Sequence, residues 1–511
     1  MKLVHNVIAA GGLLLAAMTA NAQSVTSGSD AGSDAHATAT AAVQVAQGGE
    51  ATKQAQNLIS PQEIPNIGMP MPAPNGMPPS ERLGPLAGVG NWLENYGVNL
   101  GLVFTNGYFA NPSTGISPGK SGNYGALFMS ATIDLDKLIG LPNTQLNFTE
   151  AWNKPSHNTK GYLFQTGSAF TPFPVVPESL DLVKFTLSHD LFDRRLHLEY
   201  GRMNLTDNFM VTTMCSGCVV STPAITLNAP GVTKSVWGAR ASWQFTNNTK
   251  LGLGVIEDNS SNWTATEGWN WGTSTRTGYI GVANVMHETN FMEQRLPTRY
   301  EVGVYHATAP YTDTLYNTDG TSQALNPTGT PLKHTGGTWG FYGQGRQVIW
   351  RDAESHGPVP RNVAVYGGAF ITPGAGQSYP IEAYAGMEYG GFLANNPAAL
   401  VGSTVRYIRL SNERSRYEQQ ARYSFTNMLS MMSGGALSTV NETVPQNTFT
   451  FDVHGQMGIA PGVLLQGFAQ YFVHPNTSVL AQVSTSQSRS GWMLGAFLVI
   501  DIGRLSGLVK M

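Results

Sequence analysis

Acidic, basic and imidazole side chains recur at every second position in several short stretches of this 511-residue chain. Glu382 and Glu388 alternate with Ile381, Ala383, Ala385, Met387 and Tyr389. Asp452, His454 and Gln456 alternate with Phe449, Phe451, Val453 and Met457, and Arg240 sits between Ala239 and Ala241. Glu199 lies between Leu198 and Tyr200, with Arg202 and Asp207 just beyond it. In an extended chain such alternation turns all the polar groups to one side and the apolar neighbours to the other. Gathered on one wet surface, ionised groups make charge-assisted hydrogen bonds, the stronger kind, to polar ligands. Each also has a plainer reading as a member of a structural ion-pair network.

Three further clusters carry chemistry. Trp269 and Trp271 stand in a Gly-flanked GWNWG stretch, suited to stacking on a flat ligand or to anchoring a membrane rim. Arg406, Arg409, Arg414, Arg416 and Arg422 fall close together, with Glu413 and Glu418 among them. They read either as an arginine-lined constriction or, the favoured reading, as a self-paired solvated loop. Cys215 and Cys218 form C-S-G-C. No βαβ pattern accompanies them to suggest redox catalysis, and no further ligands at zinc-site spacing lie nearby. In an exported chain this spacing predicts a local loop disulfide. Enzyme motifs are missing from the sequence: there is no G-x-S-x-G, no H-E-x-x-H and no P-loop. No carboxylate pair is singled out, so no catalytic residue, metal or cofactor is assigned.

The elements that must position these groups follow from composition and patterning. Charged residues make up only 12%, about half the usual share. The net charge of −3 leaves no basic excess for nucleic acid. Lys2, the apolar run Val7–Met18 and the small-x-small site Ala20-Asn21-Ala22 predict a signal peptide over residues 1–22. That apolar run is too short to span a bilayer. Residues 23–81, first rich in Ala, Thr and Gln and then in Pro and Met, predict a disordered linker. From residue 82 to 511 amphipathic segments of about ten residues alternate with Gly, Pro, Asn and Ser turns.

Such alternation fits either a soluble sandwich or a transmembrane barrel. Aromatic residues at segment ends, polar faces rich in Gly, Ser, Thr and Gln, and the scarcity of charge all point to the barrel. The fold class is therefore all-β, a transmembrane antiparallel β-barrel of about 16 strands with a disordered N-terminal extension. One candidate segment, Tyr417–Phe425, is surplus to an even strand count and reads as part of a loop. A barrel of this size encloses a water-filled channel.

An ordered series of segments then resembles the carbohydrate-selective outer-membrane porins, the OprB-like family. The series includes WLENYGVNLGLVFTNGYFAN (92–111), ATIDLDKLIGLPNTQLNFTEAW (131–152), LHLEYGRMNLTDNF (196–209), GFYGQGRQVIWRD and GQMGIAPGVLLQGFAQYFVHPN. The resemblance implies a bacterial outer-membrane channel, not an enzyme, through which sugars or polyols diffuse passively. A general, non-selective porin and a surface polysaccharide-binding protein are the alternatives. It also implies contact with outer-membrane lipid and with the barrel-assembly machinery, leaving homotrimer and monomer both open. On this reading the channel candidates are Glu199, Arg202, Asp207, Arg240, Trp269, Trp271, Glu382, Glu388, Arg406, Asp452 and His454. The chain departs from the family at its end, where RLSGLVKM (504–511) continues past the last strand and closes on Met rather than an aromatic residue.

Overall fold

The computed structural model describes residues 82, 84–155, 178–204, 214–216, 234–259, 267–273, 276–355, 359–374, 376–393, 396, 398–475 and 485–510. The first half of the wall is built by β1 (Val98–Asn111), β2 (Lys120–Asp134), β3 (Thr144–Pro155), β4 (Ser179–Leu191), β5 (Leu196–Met203), β6 (Val236–Thr246), β7 (Thr249–Asn259), β8 (Arg276–Glu288) and β9 (Thr298–Ala307). A separate hairpin follows, β10 (Tyr311–Asn317) with β11 (Pro331–His334). The wall resumes with β12 (Thr338–Arg351), β13 (Asn362–Ile371), β14 (Ile381–Gly390), β15 (Leu400–Arg409), β16 (Asn447–Ala460), β17 (Val463–Val473) and β18 (Gly491–Asp501). The sixteen wall strands form one closed antiparallel barrel, with β12 pairing directly to β9 across the hairpin. Closure comes from β1 on β18, in a register that sets Val103 opposite Asp501 and Ala110 opposite Leu494.

Strand parity decides which groups meet water. On β6, Trp237, Ala239, Ala241, Trp243 and Phe245 share the outer face. Val302 and Val304 on β9 and Phe451 and Val453 on β16 are likewise exposed, Val453 at 62%. In water such an apolar belt would be unstable; in a bilayer it is the face that lipid covers, while charge there costs about 2–4 kcal/mol at the midplane. The opposite faces carry Glu199, Glu301, Glu382, Glu388, Asp452 and His454, all buried inside the wall.

Turn lengths distinguish the two ends. At one end β6 and β7 are joined by Asn247–Asn248, and β16 and β17 by Pro461–Gly462. At the other lie the long connections 204–235 and 410–446. Short turns belong to the periplasmic side and long loops to the outside. The β2–β3 turn contains the short helix α2 (Leu135–Ile139), whose first amides are capped by the Asp134 carboxylate. It ends on Gly140 at φ 74, the left-handed conformation that glycine adopts without a Cβ clash.

The same end holds a clasp between the segments that flank the first and last strands of the barrel. The helix α1 (Ala87–Asn95) precedes β1, and α4 (Ile502–Ser506) follows β18. Arg82 donates to Asn91 Oδ1 at 2.9 Å and pairs with Glu94, and Lys510 Nζ reaches Glu94 Oε1 at 2.8 Å. The Leu86 amide donates to the Ser506 carbonyl at 2.7 Å. Gly90 lies so close that a Cβ there would stand 2.5 Å from the Gly507 carbonyl oxygen. The Arg82 guanidinium, with help from Lys510, holds the Glu94 carboxyl down at about 2. The C-terminal tail that overruns the last strand is therefore structural, a partner for α1.

The region around Tyr417–Phe425 departs from its reading as a loop. It lies inside α3 (Asn412–Met432), a 21-residue helix on the external side. Ser411 supplies the N-cap, its side chain accepting from the Arg414 amide, and the run of Glu, Arg, Gln and Ala that follows favours helix. Tyr417 and Ala421 pack on Leu315 and Ala324 of the β10–β11 region. Arg414 Nε pairs with Glu418 Oε1 one turn on, at 3.0 Å, so the helix carries part of the self-pairing expected of the arginine cluster.

Candidate functional site: the lumen wall and the loop tip pinned to it

Two arginine–carboxylate units face the channel from different parts of the wall. On β6, Arg240 donates through Nε to Glu199 Oε2 of the neighbouring β5, at 2.6 Å. Glu199 also accepts from Thr186 Oγ1 at 2.6 Å and has Lys184 Nζ at 3.7 Å. The carboxylate side chain is 3% exposed, whereas that of Arg240 is 21% exposed. On β12, Arg346 pairs with Glu388 of β14; here the carboxylate is 1% exposed and the arginine 23%. In both units a sealed acid fixes a base whose head still meets the channel.

A third pair is closed off. Arg406 on β15 donates through Nε to Glu382 Oε1 on β14 at 2.6 Å, with side-chain exposures of only 4% and 1%. Register dictates this pair, since β14 and β15 set Glu382 opposite Ile408 and Tyr384 opposite Arg406, a diagonal that long side chains span. Asp452 and His454, two apart on β16, share a face, and Asp452 Oδ1 holds His454 Nδ1 at 2.5 Å. Both are sealed, at 1% and 0% side-chain exposure.

The described tip of the β5–β6 loop, Met214–Ser216, lies against this far wall. The Met214 amide donates to the Tyr384 hydroxyl at 3.0 Å, and Arg346 Nη1 donates back to the Met214 carbonyl at 3.2 Å. The Ser216 amide donates to Glu388 Oε1 at 2.7 Å. The Cys215 sulfur sits 3.1 Å from the same oxygen and 3.5 Å from His454 Nε2. Behind the tip, Tyr384 donates to Gln344 Oε1 at 2.8 Å, and Gln344 Nε2 donates to Glu301 Oε2 at 3.1 Å. Tyr342 and Phe370 stack at 5.6 Å and 15°, and Phe370 and Tyr384 at 6.3 Å and 19°. The described loop tip thus rests on an aromatic and hydrogen-bonded stretch of wall, several strands around the ring from the β5 and β6 that it connects.

Several sequence candidates fall elsewhere. Arg202 does not reach the channel: register sets it between Phe185 and Trp237, and its Nη2 donates to the Gly268 carbonyl at 2.9 Å. Trp271 makes edge contacts with Trp237 at 5.4 Å and Phe185 at 5.7 Å on the outer face. Trp269 packs near Phe148 and donates from Nε1 to Glu150 Oε1 at 3.2 Å. The two tryptophans belong to the outer rim, against the expectation of sugar-stacking platforms, because the described stretch 267–273 lies over the outer face of β3–β6. Asp207 and Cys218 lie outside the described residues; Cys215 carries no free thiol. Arg346 and the loop-tip amides were missed by sequence reasoning. Gln344 and Arg346 do alternate with Gly343 and Gly345, so parity offered the signal, but glycine neighbours hide which face is apolar.

Comparison with known proteins gives a consistent result. The sequence pattern described as "Carbohydrate-selective porin, OprB family" matches residues 120–491. "Porin B" of Pseudomonas aeruginosa is 22% identical over 344 residues, which span 65% of this chain and 74% of that protein. The solved high-pH structure of Pseudomonas putida OprB superposes with a TM-score of 0.67 at 16% identity, covering 80% of this chain and 95% of that one.

Proposed function

Because this chain belongs to the carbohydrate-selective porin, OprB family, and is an outer-membrane channel for passive sugar diffusion, we propose that Arg240 and Arg346 are the groups a passing sugar meets. One observation carries this reading: each presents a part-exposed guanidinium to the lumen, held by a carboxylate that is 1–3% exposed. A guanidinium offers several N–H donors in a fixed fork, and a hydroxyl oxygen accepts them well. The paired carboxylate cancels most of the net charge, so the site favours a neutral polyol over a bound anion. Because the acid already orients the base, little rearrangement is needed when a hydroxyl replaces water. Selective passage requires binding favourable enough to enter and weak enough to leave, and a few water-exchangeable hydrogen bonds meet both conditions. Glu199, Glu388, Asp452 and His454 act in this scheme as the frame that positions the two bases, and Glu382 with Arg406 as a wall brace. The family and the fold are those of channels, and the reading includes no chemical step.

Residues 1–22 serve on this reading as the export signal and 23–81 as a linker; barrel-assembly machinery and lipid are the partners during insertion. The test is bilayer conductance with and without glucose. Arg240→Ala and Arg346→Ala should each weaken glucose block about fivefold, the equivalent of one net hydrogen bond of about 1 kcal/mol. Block unchanged in both variants would refute the assignment. No block even in the native channel would favour a general porin.

A further inference from the structure

The C-S-G-C pair shows no further metal ligands near it in sequence, but the fold brings two to Cys215 from other strands. Cys215 Sγ, Glu388 Oε1 and His454 Nε2 all lie within 4.8 Å of one another. Their separations are 3.1 Å for S to O, 3.5 Å for S to N and 3.5 Å for N to O. A tetrahedral zinc ion with ordinary Zn–S, Zn–N and Zn–O bonds sets such ligand atoms about 3.4–3.6 Å apart. The three atoms already outline one face of that tetrahedron.

The surroundings fit as well. Metal-bound histidines commonly give their other nitrogen to a carboxylate, and His454 Nδ1 is held by Asp452 Oδ1 at 2.5 Å. Arg346 holds the second oxygen of Glu388, fixing Oε1 toward the sulfur. Glu388 and His454 are both sealed in the wall, while Cys215 is only half-buried, so the fourth position opens to the loop side and channel water.

As the chain stands, the Cys215 sulfur is in a disulfide and has no negative charge to offer. We propose that, once that sulfur is a thiol, Cys215, Glu388 and His454 bind one zinc-class divalent cation, stapling the β5–β6 loop tip to β14 and β16. Opening the bond takes a dithiol reductant: two electrons and two protons pass to the protein sulfurs, and the reductant leaves as its own disulfide. The Cys215 thiol proton, and the His454 Nε2 proton when the ring carries one, are released to water as the cation binds. The bound ion ties the described loop tip to the channel wall, so conductance falls. This inference is independent of which groups contact sugar.

The test uses the full-length chain bearing Cys218→Ala, which leaves a single cysteine, kept reduced with a phosphine. Cadmium(II) is the probe. One equivalent should bind with a thiolate–cadmium charge-transfer band and should lower single-channel conductance. In the same background His454→Gln and Asp452→Asn should each weaken the binding that gives the band by about 10- to 100-fold or more. The oxidised native chain should show neither band nor conductance change. Heat-modifiable gel mobility checks that every variant retains its barrel. A folded Cys218→Ala chain without the band, a band that survives His454→Gln at full affinity, or an equal band in the oxidised native chain would each overturn the proposal.

Discussion

Replacing Glu388 by Gln keeps the side chain's shape and removes its charge, which makes it the sharpest probe of how the loop tip is held to the wall. Three hydrogen bonds tie the described loop tip to the wall: Met214 N–H to Tyr384, Ser216 N–H to Glu388, and Arg346 to the Met214 carbonyl. A neutral bond contributes about 0.5–1.5 kcal/mol and a charge-assisted one about 1.5–3. Glu388→Gln turns the Ser216 bond into a neutral one and releases Arg346, which then no longer aims its donors at Met214. The combined loss is about 2–3 kcal/mol, which raises the population of the released loop tip about 30- to 160-fold. Single-channel recording should show this as a larger mean conductance and added current noise from loop motion. Reconstituted swelling rates should rise for large sugars more than for small ones. If a folded Glu388→Gln channel conducts with the native mean and the native noise, the loop tip is not held by this carboxylate and the argument fails.

Other perturbations test the frame around it. Arg406→Ala should cost about 3–5 kcal/mol in urea unfolding from lipid or detergent, because Glu382 is left charged in a sealed site, and the double apolar replacement should cost much less. Trp271→Ala should lower unfolding stability by about 1–3 kcal/mol, through its two aromatic contacts, and leave glucose block unchanged; altered block would return this residue to the channel. At the clasp, Glu94 has its pKa lowered from 4.5 to about 2, so its contribution is complete above about 4.5 and lost as the pH falls through 2. Hydrogen-exchange protection of α1 should therefore decline across that window in the native chain. In Glu94→Gln it should be low already and flat.

Much of this architecture was legible because strand parity is a strict rule. Val98, Leu100, Leu102 and Phe104, or Phe449, Phe451 and Val453, can satisfy only one arrangement once lipid is the outer solvent. The same rule placed Glu382, Glu388, Asp452 and His454 on the inner face. It also speaks against a channel-facing Arg202, which is two residues beyond outward-facing Tyr200 and so shares its outer parity. Helix α3 was hidden because arginines and carboxylates at helical spacing also read as a solvated loop. The approach of Cys215 to Glu388 and His454, across 173 and 239 residues, depends on how a long loop folds back, and local pattern does not encode that.

The clasp joining Glu94 to Lys510 links residues 416 positions apart. Contacts of such separation form late, because the chain between them must be ordered before the encounter is rewarded. Lys510 follows β18, and Glu94 precedes β1, the two strands whose pairing turns an open sheet into a ring. In the folded chain the salt link stands beside the β1–β18 seam, so its presence reports that the two ends of the ring have met. A chain stalled with its seam open would leave its last residues free, and limited proteolysis of that tail would count the unfinished barrels.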